Sequence, residues 1–424
     1  MKEKLLKIIL LHPNFKVMKK ICGVLGACLI GSYSLWGQQK VDVRSDSEYF
    51  NSIRTISTGV PIIAVSPDAR AGGMGDVGVA TLPDANSMYW NPAKLTFLEE
   101  GSKMLSMSYT PWLNELVNDI DLAFLSYAYK PDKLQAFGFS MRYFSLGEIN
   151  FTDNENNPMG SGQPYEFTLN GAYSRKLGEN FSMAVGLRFI FSDLQNGLVQ
   201  SGIETKAGNS FAADIGMYYE SDESRLDGGQ RQYFALGLNV SNIGGKISYG
   251  NEADADFIPT NLRLGGAYHL IFDQYNKMSF YADINKLLVP TPPAVEGRNG
   301  LEEDANGNGI PNEVLGDADV GSFEGIFQSF SDAPGGFSEE LEEVVLNVGV
   351  EYWYNNMFAL RGGYQYEDEQ KGGRKYYTLG AGLKFNVFGL DLAYLIPASP
   401  TVRSPLENTL RFTLLFDFEN FSGQ

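Results

Sequence analysis

The stretch FSMAVGLRFIF, from Phe181 to Phe191, alternates strictly between two kinds of residue. Every second position is large and apolar; these positions are Phe181, Met183, Val185, Leu187, Phe189 and Phe191. The positions between them are mostly small or polar and include Gly186 and Arg188. Because successive side chains of a β-strand point to opposite faces, the segment predicts a strand with one apolar face and one mixed face.

The same alternation recurs along the chain, for example in YTLGAGLKFNVF (377–388) and TLRFTLLFDF (409–418). The segments run for about ten residues, the length that a tilted strand needs to cross a bilayer. Tight connections alternate with long polar ones. The tight connections are 130–133, 177–180, 273–276, 355–356 and 386–387, and the long ones are 147–164, 193–210, 242–261 and 289–342. One turn, 221–231, is longer than this scheme expects.

Fourteen candidate strands follow from this pattern. They begin near residues 103, 119, 135, 164, 181, 210, 231, 261, 276, 343, 357, 374, 388 and 408. An even number is typical of a closed antiparallel bacterial barrel, with short turns at one end and long loops at the other. The expected fold is therefore all-β, a fourteen-stranded transmembrane barrel. A soluble β-sandwich, such as an adhesin, alternates in the same way and is the competing interpretation.

The N-terminal stretch MKKICGVLGACLIGSYSLWGQQ begins at Met18 with two lysines, continues through an apolar run and ends in small residues. This layout is typical of a secretory signal peptide. We therefore expect residues 1–37 to be a signal peptide, in which residues 1–17 are either an upstream mis-start before the true start at Met18 or a long positively charged n-region. Cys22 and Cys28, the two cysteines of the chain, both lie within this signal peptide. The mature chain would then contain no disulfide and no thiolate site.

The chain is acidic, with 33 Lys and Arg residues against 51 Asp and Glu and a formal net charge of −18. Nucleic-acid binding requires concentrated positive charge that displaces counterions from phosphates. The composition excludes that class of partner.

The sequence GGMGDVG, residues 72–78, contains the letters of the dinucleotide-binding motif G-x-G-x-x-G. That motif requires a buried strand leading directly into the first glycine and a helix starting at the last. Here SPDARAG separates the glycines from the preceding apolar run, and Pro83 and Pro92 interrupt the segment that follows. The sequence does not predict a nucleotide site.

The segment DARAGGMGDVGVATLPDANSMYWNPAKL, residues 68–95, lies just before the first predicted strand. Its blocks ARAGGMGDVGVA and PDANSMYWNPA resemble the PorV/PorQ family, a group within the FadL-like outer-membrane barrels. Over about residues 40–420 the chain is most similar to the PorV branch, including the strand count and the large acidic loop before the tenth strand. The resemblance implies a segment 38–102 in the lumen or at the periplasmic mouth, then a barrel 103–420 with a long extracellular loop 289–342. The implied lumen residues include Arg70, Gly73, Gly75, Asn91 and Pro92.

The resemblance also implies a function, in the outer membrane of a Gram-negative, Bacteroidetes-like bacterium. The expected role is a non-enzymatic component of type IX secretion, surrounded by the lipid bilayer and lipopolysaccharide. It would bind the C-terminal signal domains of cargo leaving the translocon barrel and carry the cargo to the sortase-containing attachment complex. The alternative is a FadL-like channel for fatty acids or other hydrophobic small molecules. That role needs an apolar lumen, which the inward positions of Arg188, Lys384, Arg411 and Asp417 disfavour.

Catalytic residues are scarce. Outside the N-terminal 37 residues, His269 is the only histidine, and the chain contains neither a P-loop nor an H-E-x-x-H motif. The usual nucleophilic triads and His-rich metal sites require further histidine or cysteine residues. No enzymatic activity is expected.

The loop sequence DANGNGIPNE spaces oxygen-bearing side chains as a calcium loop does, with Gly309 at the turn. The candidate ligands are Asp304, Asn306, Asn308 and Asn312. Position 12 of such a loop is Leu315 rather than a bidentate glutamate, so a calcium site here would be weak. A simple cluster of Asn-Gly turns is the other interpretation.

Just downstream, GSFEGIFQSFSD places Phe323, Ile326, Phe327 and Phe330 at helical spacing. The spacing predicts an amphipathic helix. Its apolar face either folds over the barrel mouth or presents a surface to a protein partner.

Overall fold

The computed structural model describes residues 55–111, 119–152, 158–194, 199–200, 203–204, 206–226, 228–250, 255–291, 320–398 and 409–418. Within them lie fourteen long strands, eight to fourteen residues each. They are β1 Lys103–Pro111, β2 Asp121–Tyr129, β3 Gln135–Ser145, β4 Tyr165–Lys176, β5 Phe181–Asp193, β6 Gly208–Glu220, β7 Arg231–Gly244, β8 Asn261–Ile271, β9 Asn276–Leu287, β10 Val345–Tyr354, β11 Phe358–Tyr366, β12 Lys375–Phe385, β13 Phe388–Pro397 and β14 Leu410–Asp417. Each begins within two residues of its predicted start.

Every strand pairs antiparallel with its neighbour along the chain, and β14 pairs with β1 to close the barrel. The predicted fourteen-stranded antiparallel barrel is therefore confirmed. One register shift interrupts the pairing, between Ala213 and Ile215 where β6 meets β7. In the described residues, short pairings also lie outside the barrel wall, among them an isolated bridge between Ile247 and Asp256 and three short strand pairs. The strand pairs are Ile149–Thr152 with Pro158–Gly162, Val199–Gln200 with Ile203–Glu204, and Ser224–Arg225 with the start of β7.

The connections differ between the two ends of the barrel, which we call the turn end and the loop end. At the turn end, β10 joins β11 through a tight turn in which Asn355 and Asn356 both have positive φ, 54° and 50°. Asn386 in the next turn of this end also has a positive φ, 51°. Asparagine tolerates this left-handed conformation better than most residues, so these turns can be short. Most connections at the opposite end, the loop end, are longer, and the connection between β6 and β7 is the long exception at the turn end.

The two faces of the strands differ as the alternation predicts. Leu187 is 70% exposed on the outside of β5, whereas Arg188 beside it is 5% exposed on the inside. Aromatic side chains form an exposed ring near each end of the wall, as is typical where barrels meet the two interfaces of a membrane. The turn-end ring includes Phe137, Tyr173, Tyr219, Phe234, Tyr354, Phe358, Phe385 and Phe388, and the loop-end ring includes Tyr109, Tyr143, Phe211, Tyr377 and Tyr394.

Residues 60–98, here called the plug, lie inside the barrel and are almost entirely buried. The plug contains two short α-helices, α1 Ala69–Gly72 and α2 Ser87–Trp90, and the 3₁₀ helices Pro61–Ala64 and Pro92–Phe97. Met74, Val77 and Val79 pack with small and aromatic side chains of the inner wall, including Tyr218 and Tyr281. The plug thus supplies the core that an empty barrel would lack.

Helices α3 Ser322–Gln328 and α4 Phe337–Glu342 precede β10, and a 3₁₀ helix Glu369–Lys371 follows β11, all at the loop end. Residues 337–343 and 369–371 lie close together, and we call them the lid. Of the helices in the described part of the chain, none has the length and apolar character to span a bilayer.

Candidate functional site

Arg70 joins the plug to the barrel wall. Asp68 caps helix α1 by accepting from the backbone N–H of Ala71 at 2.9 Å, which orients the following turn. From this turn Arg70 donates through Nε and Nη2 to the two carboxylate oxygens of Glu351, each at 3.0 Å. Its Nη1 donates to Asp84 of the plug at 2.8 Å. One guanidinium therefore ties two parts of the plug to strand β10.

The network continues into the wall. Arg361 of β11 donates to Glu351 at 2.9 Å and to Asp391 of β13 at 2.6 Å. The Tyr281 hydroxyl donates to Glu351 at 3.2 Å. We call Arg70, Asp84, Glu351, Arg361 and Asp391 the latch; all five are at least nine-tenths buried. Buried charges are stable only when they are paired and hydrogen-bonded, so loss of one member leaves the others poorly compensated.

The glycine-rich loop of the plug passes directly against the wall. Gly73 crosses Gly380 of β12 so closely that a Cβ on Gly73 would lie 2.8 Å from the Gly380 Cα. Gly75 adopts φ +72°, a conformation that glycine accepts without strain. Its N–H donates to Thr378 Oγ1 at 2.7 Å, and its carbonyl accepts from Asn347 Nδ2 at 2.5 Å. These glycines allow backbone to pack on backbone.

The last glycine of G-x-G-x-x-G has a role different from phosphate binding. The N–H groups of Gly78 and Val79 donate to the Asp283 carboxylate at 2.6 and 3.0 Å. These N–H groups are therefore occupied by a carboxylate of the barrel, and no helix begins at Gly78 as the dinucleotide motif requires. Between these glycines, Asp76 pairs with Arg411 of β14 at 2.6 Å.

Asn91 and Pro92 hold a later part of the plug against the opposite side of the wall. The Asn91 side chain accepts from Ala93 N–H at 3.1 Å and donates to Met217 O of β6 at 2.8 Å. The Pro92 carbonyl accepts from Ser174 Oγ of β4 at 2.6 Å. The predicted lumen residues Arg70, Gly73, Gly75, Asn91 and Pro92 all lie inside the barrel.

Two ionisable groups of the plug are buried without a close ion pair among the described residues. Burial raises the pKa of Asp68 to about 6, although its carboxylate accepts from Trp90 Nε1 at 2.7 Å. Burial lowers the pKa of Lys94 to about 8; its Nζ donates to Gly78 O at 2.6 Å and to Thr81 Oγ1 at 2.9 Å. Desolvation disfavours the charged form of both groups, and these hydrogen bonds hold them in place.

The lid is held by two lysines. Lys371 donates to Glu339 at 2.7 Å and to Glu343 at 2.9 Å, while Lys286 at the end of β9 donates to Glu343 at 2.5 Å. Thr291 donates to the same carboxylate at 2.6 Å. Burial acts to raise the pKa of Glu343, but the hydrogen bonds from Lys286, Thr291 and Lys371 outweigh it and hold that pKa below its ordinary value.

The predicted amphipathic helix is present as α3. It ends at Gln328, so it does not include Phe330, the last residue of the predicted apolar face. Phe323 and Phe327 are 68% and 76% exposed, Phe330 is also exposed, and Ile326 is partly buried. On α4, Leu341 is exposed in the same way.

Helix α3 packs on the rest of the molecule through Gly325, which lies against Phe257 and Pro290. The exposed phenylalanines therefore do not cover the barrel mouth.

Among the cavities of the lumen that the described residues line, two are sizeable, one toward each end of the barrel. The loop-end cavity has a volume of about 540 Å³ and extends from Trp90 of the plug to Glu343 of the lid. The turn-end cavity has a volume of about 550 Å³ and lies between Asp84 of the plug and the Asn355 turn. The plug and its latch lie between them.

The PorV family model, described as type IX secretion system protein PorV, matches residues 48–294. This chain belongs to the PorV family. It is accordingly a type IX secretion protein of the outer membrane. The match covers both the plug and β1–β9.

Solved structures of FadL-like barrels are similar to the chain in fold. The Pseudomonas putida toluene transporter TodX is 13% identical, covering 83% of this chain and 96% of its own, with a TM-score of 0.44. The Ralstonia pickettii toluene transporter TbuX is 13% identical over 83% and 97%, with a TM-score of 0.43. A Pseudomonas aeruginosa FadL homologue is 11% identical over 86% and 100%, with a TM-score of 0.39. No curated protein matches the sequence.

Two predictions for this PorV-family chain fall outside the described residues. They are the signal peptide 1–37 and the calcium loop with Asp304, Asn306, Asn308 and Asn312. Both stay predictions. His269 lies on the inner wall, where its Nδ1 is 2.8 Å from Ser279 Oγ and its ring stacks on Tyr233.

Sequence reasoning missed the wall side of the latch. Glu351, Arg361 and Asp391 each occupy an inward position of an alternating strand, and so does Asp283. A charged residue at such a position was the available signal, since it must find a partner inside the barrel. The partners themselves could not be read from the sequence.

Proposed function

We propose that this chain binds secreted cargo proteins through their C-terminal signal domains as they leave the translocon barrel. It then carries the cargo to the sortase-containing attachment complex at the cell surface. In this proposal the loop end faces the extracellular medium and the turn end faces the periplasm. The chain performs no chemical step; it provides a membrane-anchored docking surface. Membership of the PorV family supports the assignment to this secretion pathway.

The latched plug is the observation that carries the docking role. A barrel of fourteen strands is too narrow for a folded protein to pass even when its lumen is empty. Here the plug occupies that lumen, and Arg70, Glu351 and Arg361 fix it to the wall by buried ion pairs. Cargo must therefore contact the outside of the barrel or its loops.

Helix α3 offers a suitable contact surface at the loop end. Phe323 and Phe327 project from it, and Phe330 follows directly after. Exposed aromatic side chains are common anchors in protein interfaces because each buries a large area on binding. We propose that this face contacts the cargo domain, together with the exposed Leu341 of α4.

The channel alternative needs an apolar path through the lumen. Both cavities are lined by more apolar than polar surface, but charged side chains interrupt it: Arg263, Asp76 and Glu343 in the loop-end cavity, and Arg361 and Asp391 in the turn-end cavity. Moving a hydrophobic solute between the cavities would require the buried latch to open. These observations favour docking over transport of fatty acids.

The test compares tagged full-length protein with the double variant Phe323→Ser/Phe327→Ser, each purified from native outer membranes in mild detergent. Mass spectrometry quantifies cargo proteins with type IX C-terminal domains and the translocon barrel. We expect the native protein to recover both and the double variant to recover at least tenfold less cargo. Tyr275→Ser, which removes an exposed aromatic residue at the turn end, serves as the matched control and should recover normal amounts.

Equal cargo recovery by the native protein and the double variant would contradict the role of α3. Recovery of the barrel alone, with bound fatty acid in its native mass spectrum, would contradict the docking function and support the channel.

A further inference from the structure

The chain that forms the plug leaves the lumen at the turn end. The Gly101 N–H donates to the Lys130 carbonyl at 2.8 Å, and Lys130 Nζ donates to the Leu98 carbonyl. Lys130 belongs to the tight connection between β2 and β3, which is a turn-end connection. Residues 98–102 therefore lie at this end, directly before the start of β1.

The chain enters the lumen at the opposite end. The first apolar residues of the plug, Val60, Ile62 and Ile63, pack in a cluster whose other members all belong to the loop-end part of a strand or to a loop-end connection. These members are Leu122, Phe144, Ile190, Ala212, Ile247 and Ile258. Just before the cluster, the Gly59 N–H donates to the Phe257 carbonyl at 2.9 Å, in the connection between β7 and β8.

Residues 55–58, here called the entry segment, precede this anchor. Thr55 and Ser57 are exposed, and Ile56 and Thr58 are partly exposed. Thr55 and Ile56 also line the loop-end cavity. The chain thus passes from the surface of the loop end through the whole lumen to the turn end. A plug that entered and left by the same end would not make these contacts.

Phe257 joins the entry to helix α3. Its carbonyl accepts from Gly59 at the start of the plug, and its ring lies against Gly325, the buried residue of α3. One residue therefore contacts both the chain that enters the lumen and the helix that carries the exposed phenylalanines. The entry segment and α3 are neighbouring parts of the loop-end surface, although they are far apart in sequence.

We propose that the entry segment is open to the extracellular medium and forms one docking face with α3, so that a bound cargo domain contacts the start of the plug directly. The phenylalanines of α3 provide the apolar centre of this face, and the hydroxyl groups of Thr55 and Ser57 provide part of its polar rim, as is typical of protein interfaces. The proposal rests on the function proposed above, both for the role of α3 and for the orientation of the loop end.

Single-cysteine variants test the path of the chain on intact cells with a membrane-impermeant maleimide. Ser57→Cys reports on the entry segment, Glu100→Cys on the exit, Ser331→Cys on the loop end beside α3 and Asp222→Cys on the turn end; all four positions are exposed. The unsubstituted chain is the background control, because its two cysteines lie in the predicted signal peptide. We expect at least tenfold more label at positions 57 and 331 than at 100 and 222, and equal label at all four once the outer membrane is permeabilised.

The pattern of labelling separates two ways in which the proposal can fail. Label at position 57 that follows position 222 rather than position 331 would overturn the lengthwise path of the plug. Label at positions 100 and 222 of intact cells, without label at 57 and 331, would keep that path but overturn the extracellular exposure, and with it the orientation in the proposed function.

Photo-crosslinking tests the shared docking face. A benzophenone maleimide attached to the Ser57→Cys variant on intact cells should, on illumination, join the chain to cargo proteins with type IX C-terminal domains. Ser161→Cys, at an exposed loop-end position between β3 and β4, is the matched control and should give at least tenfold less cross-linked cargo. Adding Phe323→Ser/Phe327→Ser to Ser57→Cys should lower the yield by a similar factor.

No cross-linked cargo from position 57, or a yield equal to that of the control, would overturn the shared face. That failure differs from failure of the docking function itself, because recovery of cargo by the native protein and its loss in the α3 double variant are measured without any cross-linker.

Discussion

Arg70 and Glu351 form a two-point ion pair, with Nε and Nη2 of the arginine each 3.0 Å from a carboxylate oxygen, although 281 residues separate them in sequence. Such a planar pairing fixes orientation as well as distance. Because Glu351 also accepts from Arg361 of the neighbouring strand, the pair belongs to both the plug and the wall. The position of the plug is thus specified by charge as well as by packing.

Arg70→Met should release the plug without opening the barrel. The variant leaves Asp84 and one face of Glu351 buried without their counter-charge, and removing one partner of a buried ion pair costs about 3–5 kcal/mol. Limited proteolysis should cut within residues 60–98 much faster than in the native protein. The barrel itself should still show its native mobility in unheated gel electrophoresis.

Arg231→Met is the matched control for the latch. Its ion pair with Glu223 is exposed on both sides, so its loss should cost under about 1 kcal/mol. Equal protease resistance of Arg70→Met and Arg231→Met would show that the latch does not hold the plug.

Gly362 and Gly363 are adjacent on β11 but should respond very differently to valine. A Cβ on Gly363 would lie 2.1 Å from the Met74 carbonyl carbon of the plug, whereas the nearest atom to a Cβ on Gly362 is 3.9 Å away. Gly363→Val should therefore displace the plug, and Gly362→Val should be tolerated on the outer face. The rate at which protease cleaves the plug measures its displacement in each variant. Similar rates for the two variants would contradict the observed packing.

Leu187→Arg should impair insertion of the barrel. Leu187 projects outward near the middle of β5, where an arginine facing lipid costs roughly 2–4 kcal/mol. Folding into lipid vesicles, followed by urea titration, gives the change in free energy of unfolding. Leu187→Ala is the control for the lost leucine side chain and should lower the free energy of unfolding by less than Leu187→Arg does. If the two variants were equally stable, this face of the strand would not contact lipid.

The lid should loosen only in acid. Since the pKa of Glu343 is held below its ordinary value of 4.5, its ion pairs with Lys286 and Lys371 are fully formed above that pH. Their contribution is lost as the pH falls through the lowered folded-state pKa. Deuterium uptake in residues 337–342, corrected for intrinsic exchange, should be constant from pH 7 to about 5 and rise below about pH 4.5.

Glu343→Gln should raise the same uptake already at neutral pH, because the amide cannot pair with either lysine. Uptake that rises between pH 7 and 5 in the native protein would show that another group controls the lid.

The wall of this barrel could be predicted from the sequence because its signals are local. In β5, alternation of Val185 and Leu187 with Gly186 and Arg188 is enough to separate the lipid face from the lumen face, since a strand places neighbouring side chains on opposite sides. The turns were recognisable for a similar reason, because Asn355 and Asn356 accept a left-handed backbone. The resemblance of the glycine-rich block to the PorV/PorQ family added the expectation of a segment in the lumen.

The tertiary structure alone decided what the inward residues contact. Glu351 finds Arg70, and Asp283 finds the N–H groups of Gly78 and Val79, across more than 200 residues of chain. Strand periodicity indicates which side of the wall a residue faces, but not which part of the plug passes in front of it. The stacking of Arg263 on Tyr89 and Trp90 and the exposure of Phe327 likewise result from packing between distant segments, which local sequence patterns do not specify.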